Sequence, residues 1–161
     1  VGPSNSRSLF SLPLTRLPRG LTIGQAGTDE AKHLFDIQKK YEIEEVLLPG
    51  STFSPNATMQ HLKRTLAAQH VLVAEIDRVP IAKANTNARG IFHDQVGGVF
   101  TEKAYRSRGV GTALMLRLLA EIGAQRRNGT LFVKKENGAA IRMYQNVGFG
   151  IAGEYKISYF R

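Results

Sequence analysis

A strand that runs straight into a glycine-broken helix start constrains this chain more than any other feature. Gly97-Gly98-Val99-Phe100-Thr101 reads as strand, Glu102-Lys103-Ala104-Tyr105 as a short polar loop, and a long apolar helix follows. The junction carries Arg106-x-x-Gly109-x-Gly111. Glycines there leave no side chain over the first turn, so the backbone can approach a ligand closely and the unpaired N–H groups of the helix start face outward. Those donors and the positive end of the helix dipole favour a phosphate or pyrophosphate, and Arg106 and Arg108 add fixed positive charge beside them. A phosphate loop of the Gly-Lys-Ser/Thr type is excluded, because Gly109-Val110-Gly111-Thr112 has no such lysine. A dinucleotide fingerprint fails too, because Thr112-Ala113-Leu114 supplies no third glycine. Glycines kept only for packing remain the other reading of this segment.

The rest of the chain narrows the class. Its 161 residues suffice for one domain with a real core. No run of 18 apolar residues marks a transmembrane helix. Without cysteine there is no thiolate catalysis and no disulfide, which fits a reducing, cytoplasmic setting. His33, His61, His70 and His93 are scattered without metal-ligand spacing, so no metal is expected. The net charge of +9 draws polyanions. The basic residues form no aromatic-interleaved stripe, so a phosphorylated small molecule fits better than nucleic acid.

Residues 1–20 are rich in Ser, Pro and Arg and hold no period, as in a flexible segment, a tag remnant, a linker from a preceding domain or a targeting peptide. Leu21 to Gln25 alternates as a first strand. Thr28 is a good N-cap for a helix over about 29–46, and Ser54-Pro55 starts a second helix. Strands are expected at His70–Ile76 and Val79–Asn85, joined by a tight hairpin at Asp77-Arg78, and at Gln95–Thr101, with a loop over Asn87–His93. A helix from about Arg108 to Arg127 ends at Asn128-Gly129. Thr130–Val133 is a buried strand, Asn137 caps a short helix stopped by Gly148, and strands at Phe149–Ala152 and Tyr155–Phe160 close the chain. The order predicts a single α/β (α+β) domain over 21–161. Its core is one mixed sheet of six to seven strands flanked by about four helices.

This element order, with the junction motif and the later Asn137-x-x-Ala140-x-x-x-Tyr144-x-x-x-Gly148-Phe149, resembles the GNAT superfamily of acyl-CoA-dependent N-acyltransferases over about 21–161. The resemblance implies a largely antiparallel sheet with a splay between two central parallel strands, here those ending at Thr101 and Val133. It implies acetyl-CoA as cosubstrate, with its pantetheine arm on the backbone of Val99, Phe100 and Thr101. Its pyrophosphate would sit on Arg106, Ser107, Arg108, Gly109, Val110, Gly111 and Thr112, with Asn137 assisting. Tyr144 would be the proton donor to the departing thiolate; as a plain core aromatic it would only pack. Gly97-Gly98 reads either as a bulge or as room for a neighbouring side chain.

The implied reaction is direct attack of a primary amine on the thioester. The acceptor is a small molecule or a peptide amine. No general base is legible: Gln95 to Thr101 has no carboxylate, and Asp94 and Glu102 only flank it. Glu44 and Glu45, acids at a helix end where they oppose the dipole, are candidates for the acceptor wall, with Asn85 and Asn87; a solvated helix end is the alternative for the two acids. A non-catalytic acyl-CoA-binding or regulatory domain of a larger protein stays open, as do a homodimer and a further N-terminal domain.

Overall fold

The computed structural model describes residues 17–154. Among them one sheet has the strands β1 (Thr22–Gln25), β2 (Val71–Ile76), β3 (Val79–Arg89), β4 (His93–Thr101) and β5 (Asn128–Leu131), side by side in chain order. The first four are antiparallel; β4 and β5 are parallel. The helices are α1 (Phe35–Tyr41), α2 (Pro55–Ala68), α3 (Val110–Ala124) and α4 (Gly138–Asn146). Alternation along β2 splits the core: Leu72 and Ala74 face α3, while Val71 and Val73 face α1 and α2. The two layers cover both faces of the sheet.

Local chemistry explains most boundaries. Ser54 Oγ accepts from the Ala57 N–H at 3.4 Å, with Pro55 at the first helical position. The hairpin at Asp77-Arg78 puts both residues at positive φ, 49° and 65°, as a two-residue turn that matches strand twist requires. It works without glycine. Arg126 (φ 56°) likewise takes a glycine's place after α3, where the Arg127 N–H bonds Ile122 O and the Arg126 N–H bonds Gly123 O. Asn128-Gly129 is therefore not the helix stop but the start of β5. A Cβ on Gly129 would lie 2.7 Å from the Leu119 Cδ2, so the Leu119 side chain would have to shift.

Three expectations are corrected. The sheet has five strands among the described residues rather than six to seven. Phe149–Ala152 forms no strand: Gly148 (φ 108°) turns the chain and the Phe149 N–H is spent on Tyr144 O at 3.0 Å. The expected strand Tyr155–Phe160 and residues 1–16 lie outside the described residues. The helix expected over 29–46 is broken. A short 3-10 turn, Thr28–Glu30, is capped at Gly27, whose N–H bonds the Glu30 carboxylate at 2.6 Å; α1 then starts only at Phe35 and passes into a π turn, Glu42–Val46. The loop expected over Asn87–His93 is mostly strand, because β3 and β4 continue to the pair Arg89–Asp94.

Candidate active site

The parallel pair β4–β5 is short. Its register runs from His93–Asn128 to Val96–Leu131 and stops. Past that point β4 continues to Thr101 paired only with β3, while the chain after Leu131 leaves the sheet. Two parallel strands that part in this way leave backbone donors and acceptors facing a gap, and such groups need partners. The gap opens into a cleft of about 590 Å³. It is lined by Val99, Phe100 and Thr101 of β4, by Arg106, Ser107 and the chain from Gly109 to Thr112, and by Tyr144 of α4.

The closed end of the pair is pinned by charge. Asp94, 1% exposed, takes Arg127 Nη1 at 3.4 Å and Arg89 Nε at 3.7 Å. A buried carboxylate needs such partners, and they tie β3, β4 and the chain entering β5 together just where the strands still touch.

The helix start has the geometry expected of an anion cradle. Ser107 (φ 60°) and Gly109 (φ 78°) are both left-handed, and Gly109 is the N-cap of α3. Its carbonyl takes the Ala113 N–H at 2.9 Å; the N–H groups of Val110, Gly111 and Thr112 precede that first bond and have no partner within the helix. Gly111 faces Thr101, and a Cβ there would lie 3.4 Å from the Thr101 Oγ1. The helix start can therefore lie close against the end of β4.

Arg106 is anchored rather than loose. Its Nε donates to Thr101 O at 2.9 Å, its Nη2 to Glu44 at 2.6 Å, and its guanidinium stacks over the Phe100 ring at 5.5 Å. Arg108 instead turns onto the Tyr105 ring at 5.8 Å and is not in the cleft wall. Asn137 caps α4 by accepting the Ala140 N–H at 3.1 Å and also borders the cleft.

The acceptor candidates separate. Glu45 and Asn87 line the cleft; Glu44 is held by Arg106, with Lys103 at 4.0 Å; Asn85 is buried beneath the sheet surface. The bulge expected at Gly97-Gly98 is present: Lys83 opposes Phe100 and Asn85 opposes Gly97, so two residues of β4 face one of β3, and Gly98 has φ 56°. Both readings of the glycines hold at once. A Cβ on Gly97 would collide with the Asn87 side chain, and one on Gly98 with Asn85 and the Lys83 Nζ.

Two groups were not singled out from the sequence. Lys83 is 2% exposed, and burial pulls its pKa down to about 7, against the opposing charge of Glu42. Tyr41 lies against it, with the Lys83 Nζ 4.6 Å from its ring centre. The Tyr41 phenol is raised by burial, while the Gly98 backbone pulls it the other way. The available signal was the polar file Lys83–Asn85–Asn87, spaced by two on a strand whose intervening residues, Ala84 and Thr86, are buried on the other face. Tyr144 is pushed up to about 12 by burial, with the nearby Glu45 and Tyr41 adding to it. Its ring meets Phe149 edge-on at 6.0 Å. Among the described residues, no group of three or more His, Asp or Glu side chains is placed to hold a metal ion, and no helix is long and apolar enough to cross a membrane.

Comparison with known proteins agrees with this architecture. No curated protein matches the chain. Solved structures do. A predicted acetyltransferase from Clostridium acetobutylicum, crystallised with acetyl-CoA, is 18% identical, with a TM-score of 0.68 over 86% of this chain and 96% of its own. A GNAT-family acetyltransferase from Streptococcus pneumoniae is 20% identical, with a TM-score of 0.69 over 88% of this chain and 91% of its own. AAC(6')-Iy, in complex with the bisubstrate analog CoA-S-monomethyl-acetylneamine, is 19% identical, with a TM-score of 0.69 over 88% and 98%. At such identities the likeness is one of fold. The family model for acetyltransferases of the GNAT family matches residues 34–149, a span that holds the parted strands, the glycine-broken helix start and α4. By its sequence over that span, the chain belongs to the GNAT family of acetyltransferases.

Proposed function

We propose that the protein transfers an acetyl group from acetyl-CoA to a primary amine by direct attack within a ternary complex. The observation that carries this reading is the parting of β4 and β5 beside the start of α3. An extended pantetheine arm would satisfy the backbone of Val99, Phe100 and Thr101 as an added strand would. The pyrophosphate would take the N–H groups of Val110, Gly111 and Thr112, with Ser107, Gly109 and Arg106 around it. Arg108, turned away onto Tyr105, would act only as nearby charge. Asn137 borders the same cleft and would meet the cofactor from α4.

In the step itself the neutral amine nitrogen attacks the thioester carbonyl carbon. The C–N bond forms, the C–S bond breaks, the sulfur leaves with the electron pair, and the proton given up by the amine passes by way of solvent water to the thiolate, which departs as the CoA thiol. Backbone N–H groups of the β4 bulge would hold the developing oxyanion. Tyr144, at about 12, stays protonated at working pH. Full proton transfer from such a phenol to a thiolate, whose thiol ordinarily titrates near ~8.5, is uphill. What it offers is a hydrogen bond to the departing sulfur. Glu45 and Asn87 in the cleft wall suit a cationic acceptor. The unit doing this would span 21–161, and the cytoplasm, with its reducing conditions, is the proposed setting.

One observation favours a second reading, a non-catalytic acyl-CoA-binding domain. No carboxylate projects from β4 between Gln95 and Thr101, and the space over Gly97 and Gly98 is filled from β3. Two measurements decide. Thiol release from acetyl-CoA is followed with a panel of amines, and acetyl-CoA affinity is titrated calorimetrically in the wild type and in Gly111→Val. The proposal expects amine-dependent thiol release, and affinity that collapses in the folded variant. Binding without release under every amine would establish the second reading. Unchanged affinity in the variant would remove this loop from the cofactor site.

A further inference from the structure

Lys83 has no part in the reaction as drawn above, yet it is buried and held by two hydrogen bonds beside the cleft. An ammonium has three donors. One goes to Gly98 O at 2.9 Å and one to Asn85 Oδ1 at 3.0 Å, with the Tyr41 ring 4.6 Å from the nitrogen. Asn85 passes the connection on: its Nδ2 donates to Asn87 Oδ1 at 3.0 Å and to Thr86 O at 3.0 Å. The Gly98 carbonyl belongs to the bulge of β4, at a residue whose φ of 56° departs from strand geometry. A bulge peptide is not fixed by the regular ladder, so a side-chain bond decides how its plane is turned.

A trans peptide carries its N–H opposite its C=O. The bond from Lys83 therefore turns the N–H of the same peptide, that of Val99, away from the buried layer. Val99 is part of the cleft wall.

We propose that Lys83 is a positioning residue for acetyl transfer: its bond to the Gly98 carbonyl fixes the Gly98–Val99 peptide so that the Val99 N–H is held as donor to the oxygen of the reacting carbonyl. The inference rests on the acetyltransferase reading. A charged donor on the carbonyl also polarises the peptide and makes its N–H a better donor, since charge-assisted hydrogen bonds are about twice as strong as neutral ones. Loss of the Lys83 proton leaves a neutral amine that still reaches Gly98 O but grips it less. The ionisable groups facing Lys83 are the Tyr41 phenol from α1 and the Glu42 carboxylate from the π turn. On the same face β2 presents Val73 and β4 presents Phe100, neither of which ionises.

The test pairs a spectroscopic readout with kinetics, on wild type, Lys83→Met and Lys83→Arg. In the wild type the Val99 amide resonance should shift with pH through a midpoint near 7, where Lys83 loses its proton. In Lys83→Arg, which stays charged, and in Lys83→Met, which has no charge, that midpoint should vanish. For turnover, Lys83→Met should lower kcat by about 10-fold or more with little change in KM for acetyl-CoA. Lys83→Arg should recover much of the loss. The wild-type to Lys83→Met ratio of kcat should shrink as pH rises from about 6 to about 8, a comparison in which ionisation of the acceptor cancels. A Val99 amide that does not titrate in the wild type overturns the proposal even if neither variant folds. So does normal turnover in a folded Lys83→Met. If no amine releases thiol, the acetyltransferase reading fails and the catalytic role of Lys83 falls with it; a titrating Val99 amide would then still report the contact, so the two failures are told apart.

Discussion

At the scale of single residues, the cleft combines groups whose environments push them in opposite directions. Burial keeps the Tyr144 phenol protonated and draws the Lys83 ammonium towards neutrality. A phenol at about 12 cannot be the titrating group of a rate profile at working pH. The rise of kcat/KM with pH should therefore follow the acceptor amine, with no inflection from Tyr144 and only the opposing loss of the Lys83 proton near 7 superimposed on it. Tyr144→Phe keeps the ring and its edge-on contact with Phe149, so folding should survive. If the hydroxyl supports the departing sulfur, kcat should fall by roughly 10- to 100-fold, at or below the lower end of what positioned acids contribute. Acetyl-CoA affinity should barely move. A melting temperature that drops while kcat stays normal would make Tyr144 a packing residue. The place of Tyr144 on the cleft wall was legible because its spacing from Asn137 and Gly148 matched a pattern. Lys83 was not, because the polar file Lys83–Asn85–Asn87 shows only that these residues share one face of a strand; its meaning comes from the carbonyl across the bulge.

At the scale of elements, the region between α1 and α2 behaves differently from what its acids suggested. The π turn Glu42–Val46 closes with the Leu47 N–H on Glu42 O at 2.8 Å and rotates its acids apart. Glu42 goes inward to Gln38 and Thr58, Glu44 to Arg106, and Glu45 to the cleft. A regular helix through 46 would have distributed them differently, and no propensity scale marks a π turn in advance. The Glu44–Arg106 pair joins this turn to the loop before α3 at 2.6 Å, so on the proposed reading a cofactor phosphate would have to share or displace Glu44. Both partners are about a third exposed, 30% and 40%, which limits the pair to roughly 1 kcal/mol. Glu44→Gln should therefore raise acetyl-CoA affinity by about 2- to 5-fold, with no loss of turnover, when titrated calorimetrically at low salt. Weaker binding would mean that Glu44 holds Arg106 in its binding posture instead. The start of α2 and both ends of α4 were legible to within a residue or two because they carry chemistry: the Ser54-Pro55 start, the Asn137 cap and the Gly148 stop. The end of α3 was misplaced by reading Asn128-Gly129 as its cap, when Arg126 adopts the left-handed turn itself.

At the scale of the whole molecule, chain order carried a mixed sheet covered by helices but not its strand count, which is five among the described residues rather than six to seven. Three consecutive strands followed by strand–helix alternation can hardly avoid a mixed sheet with one parallel pair, since right-handed crossovers leave few ways to place the last strand. What order could not give is where the parallel pair stops. That depends on the Asp94 ion pairs at the closed end and on the bulge at Gly98, both set by contacts distant in sequence. The net charge of +9 acts at this scale as well, and it acts twice. It repels itself within the fold, and on the proposed reading it would attract a phosphate-rich ligand to the helix start. Salt screens both effects, over about 10 Å at 0.1 M and about 3 Å at 1 M. Raising sodium chloride from about 0.05 to about 0.5 M should thus move two observables in opposite senses. The melting temperature of the free protein should rise as self-repulsion fades. Acetyl-CoA affinity should fall several-fold, because Arg106 and the α3 N-terminus lose their long-range pull. Potassium chloride should give the same pair of shifts, since the effect is one of ionic strength. Acetyl-CoA affinity independent of salt would place the binding energy in the strand-like contacts of Val99 to Thr101 and not in the basic loop.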